Sequence, residues 1–241
     1  MKEYELKVYE ELKSWRKEVL KRSGIVGRVS KRAQNRINEM IPEKFHRVVT
    51  ESIKNMVKAT LFGSDITTRP YRKKHLTLKE REELIQEKLS TYRRTAVVEG
   101  AGTGAGGILL GLADFPLLLS IKMKFLFEVA SIYGFDTKQY EERLYILHVF
   151  QLAFSSDERR RETFFILENW ENEKDNLTEM DWQVFQQEYR DYIDLIKMLQ
   201  LVPGLGAIVG AYANHNLLDQ LGKTARNAYR MRLLQIPPRD W

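Results

Sequence analysis

The sequence contains no cysteine, and this absence excludes disulfide bridges, thiol nucleophiles and thiolate metal sites. Proline is scarce, at six residues in 241, while 43% of residues are hydrophobic and 30% charged; this composition excludes a collagen-like or disordered chain and favours a helix-rich globular protein. The first twelve residues, MKEYELKVYEEL, are acidic where a secretory signal is basic and then apolar. We therefore expect no export signal there and a cytoplasmic location.

No segment alternates apolar and polar residues over the length of a strand, and the best fragment, residues 95–98, is too short to support a sheet. Apolar residues instead recur at three- and four-residue intervals, which predicts helices. We predict an all-α fold, a multi-helix globular bundle with two glycine-rich apolar segments packed centrally. Residues 1–64 would form an N-terminal helical region, 65–76 a basic loop and 77–241 a helical core, with one domain overall.

Local signals place several helix boundaries. Pro42 suits the first turn of a helix that Gly63 would end, and Thr77 with Glu80 forms a capping box. Asp136 is predicted to cap a helix that passes through Tyr140. The last long helix is predicted to run from about Asn216 to Leu234.

Charge is distributed unevenly along the chain. Residues 1–99 hold 24 Lys/Arg against 14 Asp/Glu, whereas residues 155–194 hold 12 Asp/Glu against five Lys/Arg. If these stretches lie apart in the fold, the molecule carries a strong dipole; folding can also pair them, or each can be a solvated helix face.

Nine of the 14 glycines fall in two apolar windows, residues 98–121 and 201–213. Each glycine in a helix costs about 1 kcal/mol relative to alanine, so the clustering indicates that bare backbone is needed there. Several are four residues apart, the spacing that lets two helices approach closely. We predict that the windows pack on each other or on the transmembrane helices of a partner. The predicted helix-contact residues are Gly100, Gly102, Gly104, Gly106, Gly107, Gly111, Gly204, Gly206 and Gly210.

A membrane span is a poor fit to either window. A span needs about 20 apolar residues, while the uninterrupted apolar run at 107–113 is followed by Asp114 and then Pro116. Shallow insertion at the membrane interface, through leucines such as Leu117 and Leu118, and a soluble core of tightly packed helices both stay open; a true span is the weakest alternative.

Enzymatic chemistry has little support in the sequence. Gly102, Gly104 and Gly107 spell GxGxxG, but no strand precedes them, and no GxxxxGK[ST] occurs. His148 lies among apolar residues and is interpreted as a core histidine. The alternative to a non-enzymatic protein is a soluble enzyme with an acidic site near Asp114 and Glu128, or a soluble helical scaffold. We expect no cofactor and no metal site; catalytic residues are unknown.

Basic residues flank the first glycine window. Because tyrosines lie beside them, they could bind nucleic acid, but basic residues next to an apolar element fit anionic lipid better. We predict a lipid or acidic-partner site and no nucleic acid. The residues concerned are Arg72, Lys73, Lys74, Arg93 and Arg94.

The order of motifs between residues 98 and 143 resembles the EcsC protein family, and Pro203, Gly204, Gly206 and Ala207 extend the resemblance, which covers about residues 40–235. The family markers matched here are Asp114, Pro116, Glu128, Tyr133, Gly134, Asp136 and Arg143. The resemblance implies a bacterial protein that works beside the ATPase and membrane subunits of an ABC transporter and is linked to protein secretion. It implies no catalytic residues. We therefore expect an accessory protein held peripherally at the inner face of the cell membrane.

Overall fold

A computed structural model describes residues 2–21, 43–63, 76–103, 108–155, 157–178 and 207–234. Within these ranges the chain forms eight helices and no strand, so the predicted all-α fold is confirmed. The fragment 95–98 lies inside the third helix. The helices are α1 (Lys2–Leu20), α2 (Glu43–Phe62), α3 (Leu78–Thr103), α4 (Ile108–Tyr133), α5 (Tyr140–Phe154), α6 (Asp157–Glu168), α7 (Trp170–Thr178) and α8 (Ala207–Leu233).

The start of α3 confirms the predicted capping box. The backbone N–H and hydroxyl of Thr77 both donate to Glu80 Oε2 at 2.8 Å, and the backbone N–H of Glu80 donates to Thr77 Oγ1 at 3.3 Å. Each side chain thereby satisfies a backbone donor that has no partner inside the helix. The end of α2 at Phe62, one residue before Gly63, also agrees with the sequence.

Two predicted helix starts were wrong. Asp136 does not cap α5, which begins at Tyr140 after the N-cap Gln139; Oδ1 of Asp136 instead accepts the backbone N–H of Lys138 at 3.0 Å in the preceding turn. A side chain that binds a backbone donor two residues on stabilises a turn, and this local bond outcompetes the cap. The last helix begins at Ala207 rather than near Asn216, because the glycine-containing segment before Asn216 is itself helical.

Helix α5 is the centre of the molecule. Every residue from Leu144 to Ser155 is buried, and α2, α4, α6, α7 and α8 all pack against this helix. A helix that is apolar on all sides is typical of a core position. His148 is buried here as predicted: its Nδ1 lies 2.9 Å from the carbonyl oxygen of Leu144, and burial lowers its pKa to about 4.

Helix α8 packs along α3 in the antiparallel direction. Their contacts advance along one helix as they recede along the other, through the pairs Glu82–Arg230, Leu89–Gly222 and Arg93–Asp219. The register is therefore constant over about three turns. Because the two helices are antiparallel, α3 ends at Thr103 towards the same end of the bundle at which α8 begins, at Ala207.

Helix α4 is also antiparallel to α3. Nη1 of Arg81 donates to the carbonyl oxygen of Ile132 at 3.1 Å, and, further along α3, the ring of Tyr92 meets that of Phe125 with centroids 5.6 Å apart. The end of α3, the start of α4 and the start of α8 consequently lie at the same end of the bundle.

The opposite end of the bundle is tied by arginines that bridge helices. Arg143 donates to the carbonyl oxygens of Leu61 and Gly63 at 3.1 and 3.0 Å. Arg232 donates to Glu142 at 2.7 Å, and its guanidinium lies 4.0 Å from the centroid of the Phe135 ring. Together with Arg230 and Glu82, these contacts join α2, α3, α5 and α8.

Candidate functional site

The two glycine windows border the end of the bundle where α3 ends and where α4 and α8 begin; we call it the glycine-rich end. Gly100 and Gly102 lie in the last turns of α3, Gly111 near the start of α4 and Gly210 near the start of α8. The other five predicted helix-contact glycines, Gly104, Gly106, Gly107, Gly204 and Gly206, lie outside the described residues. Direct contact between the two windows stays a prediction.

A close approach of α3 and α8 is visible at Gly222, which the sequence analysis did not select. A Cβ placed on Gly222 would lie 2.9 Å from Cδ2 of Leu89 and 3.1 Å from Cδ1. Bare backbone at this position therefore lets the two helices pack closely. The only signal in the sequence was an isolated glycine inside a helical pattern, which is typical of such packing.

The acidic pair proposed for an enzyme does not form a site. Glu128 accepts the hydroxyl hydrogen of Tyr92 at 2.9 Å and pairs with Lys88 Nζ at 3.0 Å, so its carboxylate links α4 to α3. Burial and the neighbouring carboxylate raise the pKa of Tyr92 well above its ordinary value. Asp114 lies in the same helix 14 residues earlier, about 21 Å away along the axis, too far to share a substrate. The surroundings of its side chain lie outside the described residues.

The predicted basic site is only partly described. Arg72, Lys73 and Lys74 lie outside the described residues. Arg94 is exposed on α3, close to the glycine-rich end. Arg93, in contrast, forms an ion pair with Asp219 across the α3–α8 contact, so it has a structural partner.

Three of the family markers stabilise the fold at the far end of the bundle. Gly134 adopts a φ of +95°, a conformation that glycine tolerates best, and so ends α4 beside Arg81. The ring of Tyr133 stacks on that of Tyr229 with centroids 5.4 Å apart. Arg143 binds the end of α2 as described above. Pro116 lies inside α4 and is exposed.

Lys122, in the middle of α4, is a residue that the sequence analysis did not select. Its side chain is fully buried, Nζ makes no hydrogen bond, and burial lowers its pKa from 10.5 to about 7. It stands in the middle of the apolar face of α4, where the sequence places a charged residue within a stripe of helical spacing. This charged residue within an apolar stripe is the feature of the sequence that could have drawn attention to Lys122.

An open groove of about 510 Å³ lies far from the glycine-rich end, between α1, the junction of α6 with α7, and the end of α8. Leu12 and Met231 line it, together with Arg16 and Glu168, which pair with each other at 2.6 and 3.2 Å. Arg16 and Glu168 therefore satisfy each other, while the other charged lining residues, Lys13 and Glu171, pair with residues outside the groove.

Two properties of the described residues bear on membranes and metals. None of the helices in these ranges is both long and apolar enough to cross a membrane. The same ranges contain no group of three or more His, Asp or Glu side chains that could hold a metal ion.

The sequence that forms this bundle matches the model of the EcsC protein family over residues 6–234, and the chain belongs to that family. It is 54% identical over 226 residues to "Protein EcsC" of Bacillus subtilis (strain 168), covering 94% of each chain. It is also 26% identical over 204 residues to "Uncharacterized protein YdbA" of the same organism, covering 83% of this chain and 69% of the relative. No solved structure matches the chain.

Proposed function

We propose that the protein is a non-enzymatic accessory of an ABC transporter involved in export, bound at the cytoplasmic face of the membrane through its glycine-rich end. Its partners would be the anionic lipid surface and the ATPase and membrane subunits of the transporter. The proposal rests on membership of the EcsC family and on one structural observation, the antiparallel register of α3 with α8 and α4.

This register supports a membrane-facing end because it gathers glycine-bearing ends of three helices. Gly100, Gly111 and Gly210 lie in helices whose ends meet there, so closely packed backbones with little side-chain bulk are expected at that end. Leu117, in the first half of α4, is 48% exposed. Arg94 adds an exposed cation near the same end, and an exposed cation near anionic lipid contributes about 1 kcal/mol.

Vesicle binding with two matched variants tests the lipid part. Arg94 and Lys79 are both exposed cations on α3, at opposite ends of the helix. We expect Arg94→Gln to weaken binding to phosphatidylglycerol-containing vesicles about fivefold, and Lys79→Gln to leave it unchanged, because only Arg94 lies near the lipid. Equal effects of the two substitutions would contradict the proposed orientation.

The transporter part needs a separate test. The tagged full chain is expressed with the transporter subunits, extracted in detergent and purified; we expect both subunits to co-purify with it. Co-purification without vesicle binding would favour a soluble helical scaffold. Vesicle binding without co-purification would retain the membrane role and remove the direct contact with the transporter.

A further inference from the structure

Helix α2 has a buried side and an exposed side over its described length. The buried side carries apolar residues at four-residue spacing that are at most 3% exposed, namely Val49, Ile53, Val57 and Leu61. With this side buried, α2 packs against α4 and α5. The opposite side faces solvent, and its exposed residues recur every three or four positions, namely Arg47, Glu51, Lys54, Lys58 and Phe62. This side of α2 therefore lies on the surface of the bundle.

Helix α4, which packs against α2, adds a second exposed strip. Its exposed residues are Pro116, Leu117, Ser120 and Lys124. We call the exposed residues of α2 and this strip of α4 the α2–α4 surface. It holds three of the five large hydrophobic residues that are exposed in the described part of the chain, namely Val48, Phe62 and Leu117, at 36%, 55% and 48%. Single exposed apolar residues are common, but this concentration on two neighbouring helices indicates a binding surface.

The α2–α4 surface also carries an excess of positive charge. Its exposed charged residues are four cations and one acid, namely Arg47, Lys54, Lys58, Lys124 and Glu51. In contrast, the exposed side chains described in α1 include four cations and four acids, and those in α3 include two cations and three acids. Lys54, Lys58 and Lys124 form no ion pair within the described part of the chain, so their charges are available to a ligand.

The kinds of residue on the α2–α4 surface fit an anionic lipid bilayer better than a protein partner. Three of its four cations are lysines, whose ammonium group is strongly hydrated and lies at the end of a flexible chain, so each can follow a mobile phosphate. Protein–protein interfaces, in contrast, are depleted of lysine and enriched in arginine and aromatic residues. Binding to lipid headgroups requires positive charge and a few apolar side chains that enter between them. Both are present here.

We propose that the α2–α4 surface binds the headgroups of an anionic lipid bilayer, with α2 lying along the membrane. Lys54 and Lys58, one turn apart, contact lipid phosphates, while Phe62 and Leu117 enter between the headgroups. This inference rests on the proposed membrane role and extends the lipid contact from the glycine-rich end along α2. Because these side chains are already exposed, binding requires no opening of the bundle.

Two matched pairs of lysines test the electrostatic part. Lys54→Gln/Lys58→Gln removes two charges from α2. The control, Lys17→Gln/Lys21→Gln, removes two exposed lysines of the same spacing at the end of α1, which packs against α6 and α8. Co-sedimentation with phosphatidylcholine vesicles, with and without phosphatidylglycerol, measures binding. We expect the α2 variant to bind the anionic vesicles about 30-fold more weakly than the wild type, equivalent to about 1 kcal/mol per lysine, and the control to change by less than about twofold.

Two exposed phenylalanines test the apolar part. Phe62 on α2 and Phe165 on α6 are 55% and 45% exposed. Their rings have aromatic neighbours at similar distances, with centroids 6.2 Å from Tyr140 and 5.9 Å from Phe164 respectively. We expect Phe62→Ser to weaken binding to the anionic vesicles about fivefold and Phe165→Ser to leave it unchanged, because only Phe62 buries apolar surface in the lipid. Equal effects of the two substitutions would contradict insertion of Phe62.

The outcomes separate this inference from the proposed function. If the wild type binds anionic vesicles and the α2 lysine variant binds them as well as its control does, the inference is overturned and the membrane role stands. If the wild type does not bind them, both are overturned. If the α2 lysine variant keeps its vesicle binding but no longer co-purifies with the transporter subunits, the α2–α4 surface binds a protein and the lipid assignment is overturned.

Acetylation of lysines in the unmodified chain gives a result that does not depend on how a variant folds. Mass spectrometry follows the rate at each lysine, with Lys17 and Lys21 as internal references. We expect phosphatidylglycerol vesicles to lower the rate at Lys54, Lys58 and Lys124 relative to the references, because bound lysines are shielded from the reagent. Phosphatidylcholine vesicles should leave all five rates unchanged. Equal protection of the reference lysines, or no protection on the α2–α4 surface, would overturn the proposed binding surface.

Discussion

Arg230 of α8 and Glu82 of α3 form a two-pronged ion pair inside the bundle. Nε of Arg230 donates to Glu82 Oε1 at 2.7 Å and Nη2 donates to Oε2 at 2.5 Å, while both side chains are only 4% exposed. Tyr4 and Glu11 of α1 join the same cluster, through a hydroxyl bond to Glu82 at 2.8 Å and a carboxylate that accepts from Arg230 at 3.0 Å. The cluster therefore connects α1 to both α3 and α8.

Loss of one partner of this pair should be strongly destabilising. Glu82→Gln leaves the buried guanidinium of Arg230 with only the half-exposed carboxylate of Glu11 as countercharge, and loss of a buried partner of this kind typically costs about 3 kcal/mol or more in the free energy of unfolding. Urea unfolding followed by circular dichroism measures the change. The control is Glu83→Gln, which removes an exposed partner of Lys79 and should cost less than about 0.5 kcal/mol. Equal stabilities for the two variants would show that the buried pair does not form.

Any side chain in place of Gly134, at the left-handed turn, should lower the stability of the protein. Its φ of +95° is unfavourable for other residues, and an added Cβ would lie 2.9 Å from Nη1 of Arg81, the atom that donates to the carbonyl of Ile132. We expect Gly134→Ala to lower the free energy of unfolding by about 1–2 kcal/mol, and Gly134→Asn to lower it less, because asparagine adopts this conformation more readily. Thermal unfolding of both variants provides the measurement. An alanine variant as stable as the wild type would contradict the left-handed conformation of Gly134.

The α3–α8 approach at Gly222 predicts a size-dependent response. Gly222→Ala should be nearly neutral, because a gain of about 1 kcal/mol in helix propensity offsets a small displacement of the flexible Leu89 side chain. Gly222→Leu should cost about 1–3 kcal/mol by overpacking. If the contact is direct, Leu89→Ala should recover part of that loss in the double variant, as measured by urea unfolding. Additive effects of the two substitutions would contradict the contact.

Lys122 should make the stability depend on pH. Its pKa falls from 10.5 to about 7 on burial, so between these values the unfolded chain binds more protons than the folded chain. The free energy of unfolding therefore rises with pH across this window, by at most about 1.4 kcal/mol per pH unit. We expect Lys122→Met to be more stable than the wild type at about pH 7, the lower limit of this range. Its free energy of unfolding should not show the rise with pH that Lys122 causes in the wild type. Unfolding curves at several pH values test it, and parallel pH profiles for the two proteins would contradict it.

Local signals in the sequence predicted much of the fold. The Thr77–Glu80 capping box and the end of α2 before Gly63 depend on neighbouring residues, so the sequence is sufficient to find them. The same holds for α1, where apolar residues recur at three- and four-residue intervals and are buried, namely Val8, Leu12, Trp15 and Val19.

Contacts between distant residues were not predictable in this way. Arg93 looked like a surface cation, but its partner Asp219 is brought to it by the packing of α8 on α3. The Asp114–Glu128 site was wrong for a related reason: both residues occupy one helix, and the helical rise separates them. The partners of a charged side chain depend on which helices meet, and helical spacing alone does not specify this.

The orientation of the bundle on a membrane is tested most directly by two fluorescent labels. Because the chain has no cysteine, single cysteines at Leu117 and Leu233 would each carry one environment-sensitive dye. These positions are similarly exposed, at 48% and 44%, and lie towards opposite ends of the bundle. With phosphatidylglycerol vesicles we predict a blue shift and quenching by lipid-bound quenchers at position 117 only. No change at position 117, or an equal change at both positions, would contradict a membrane role for the glycine-rich end.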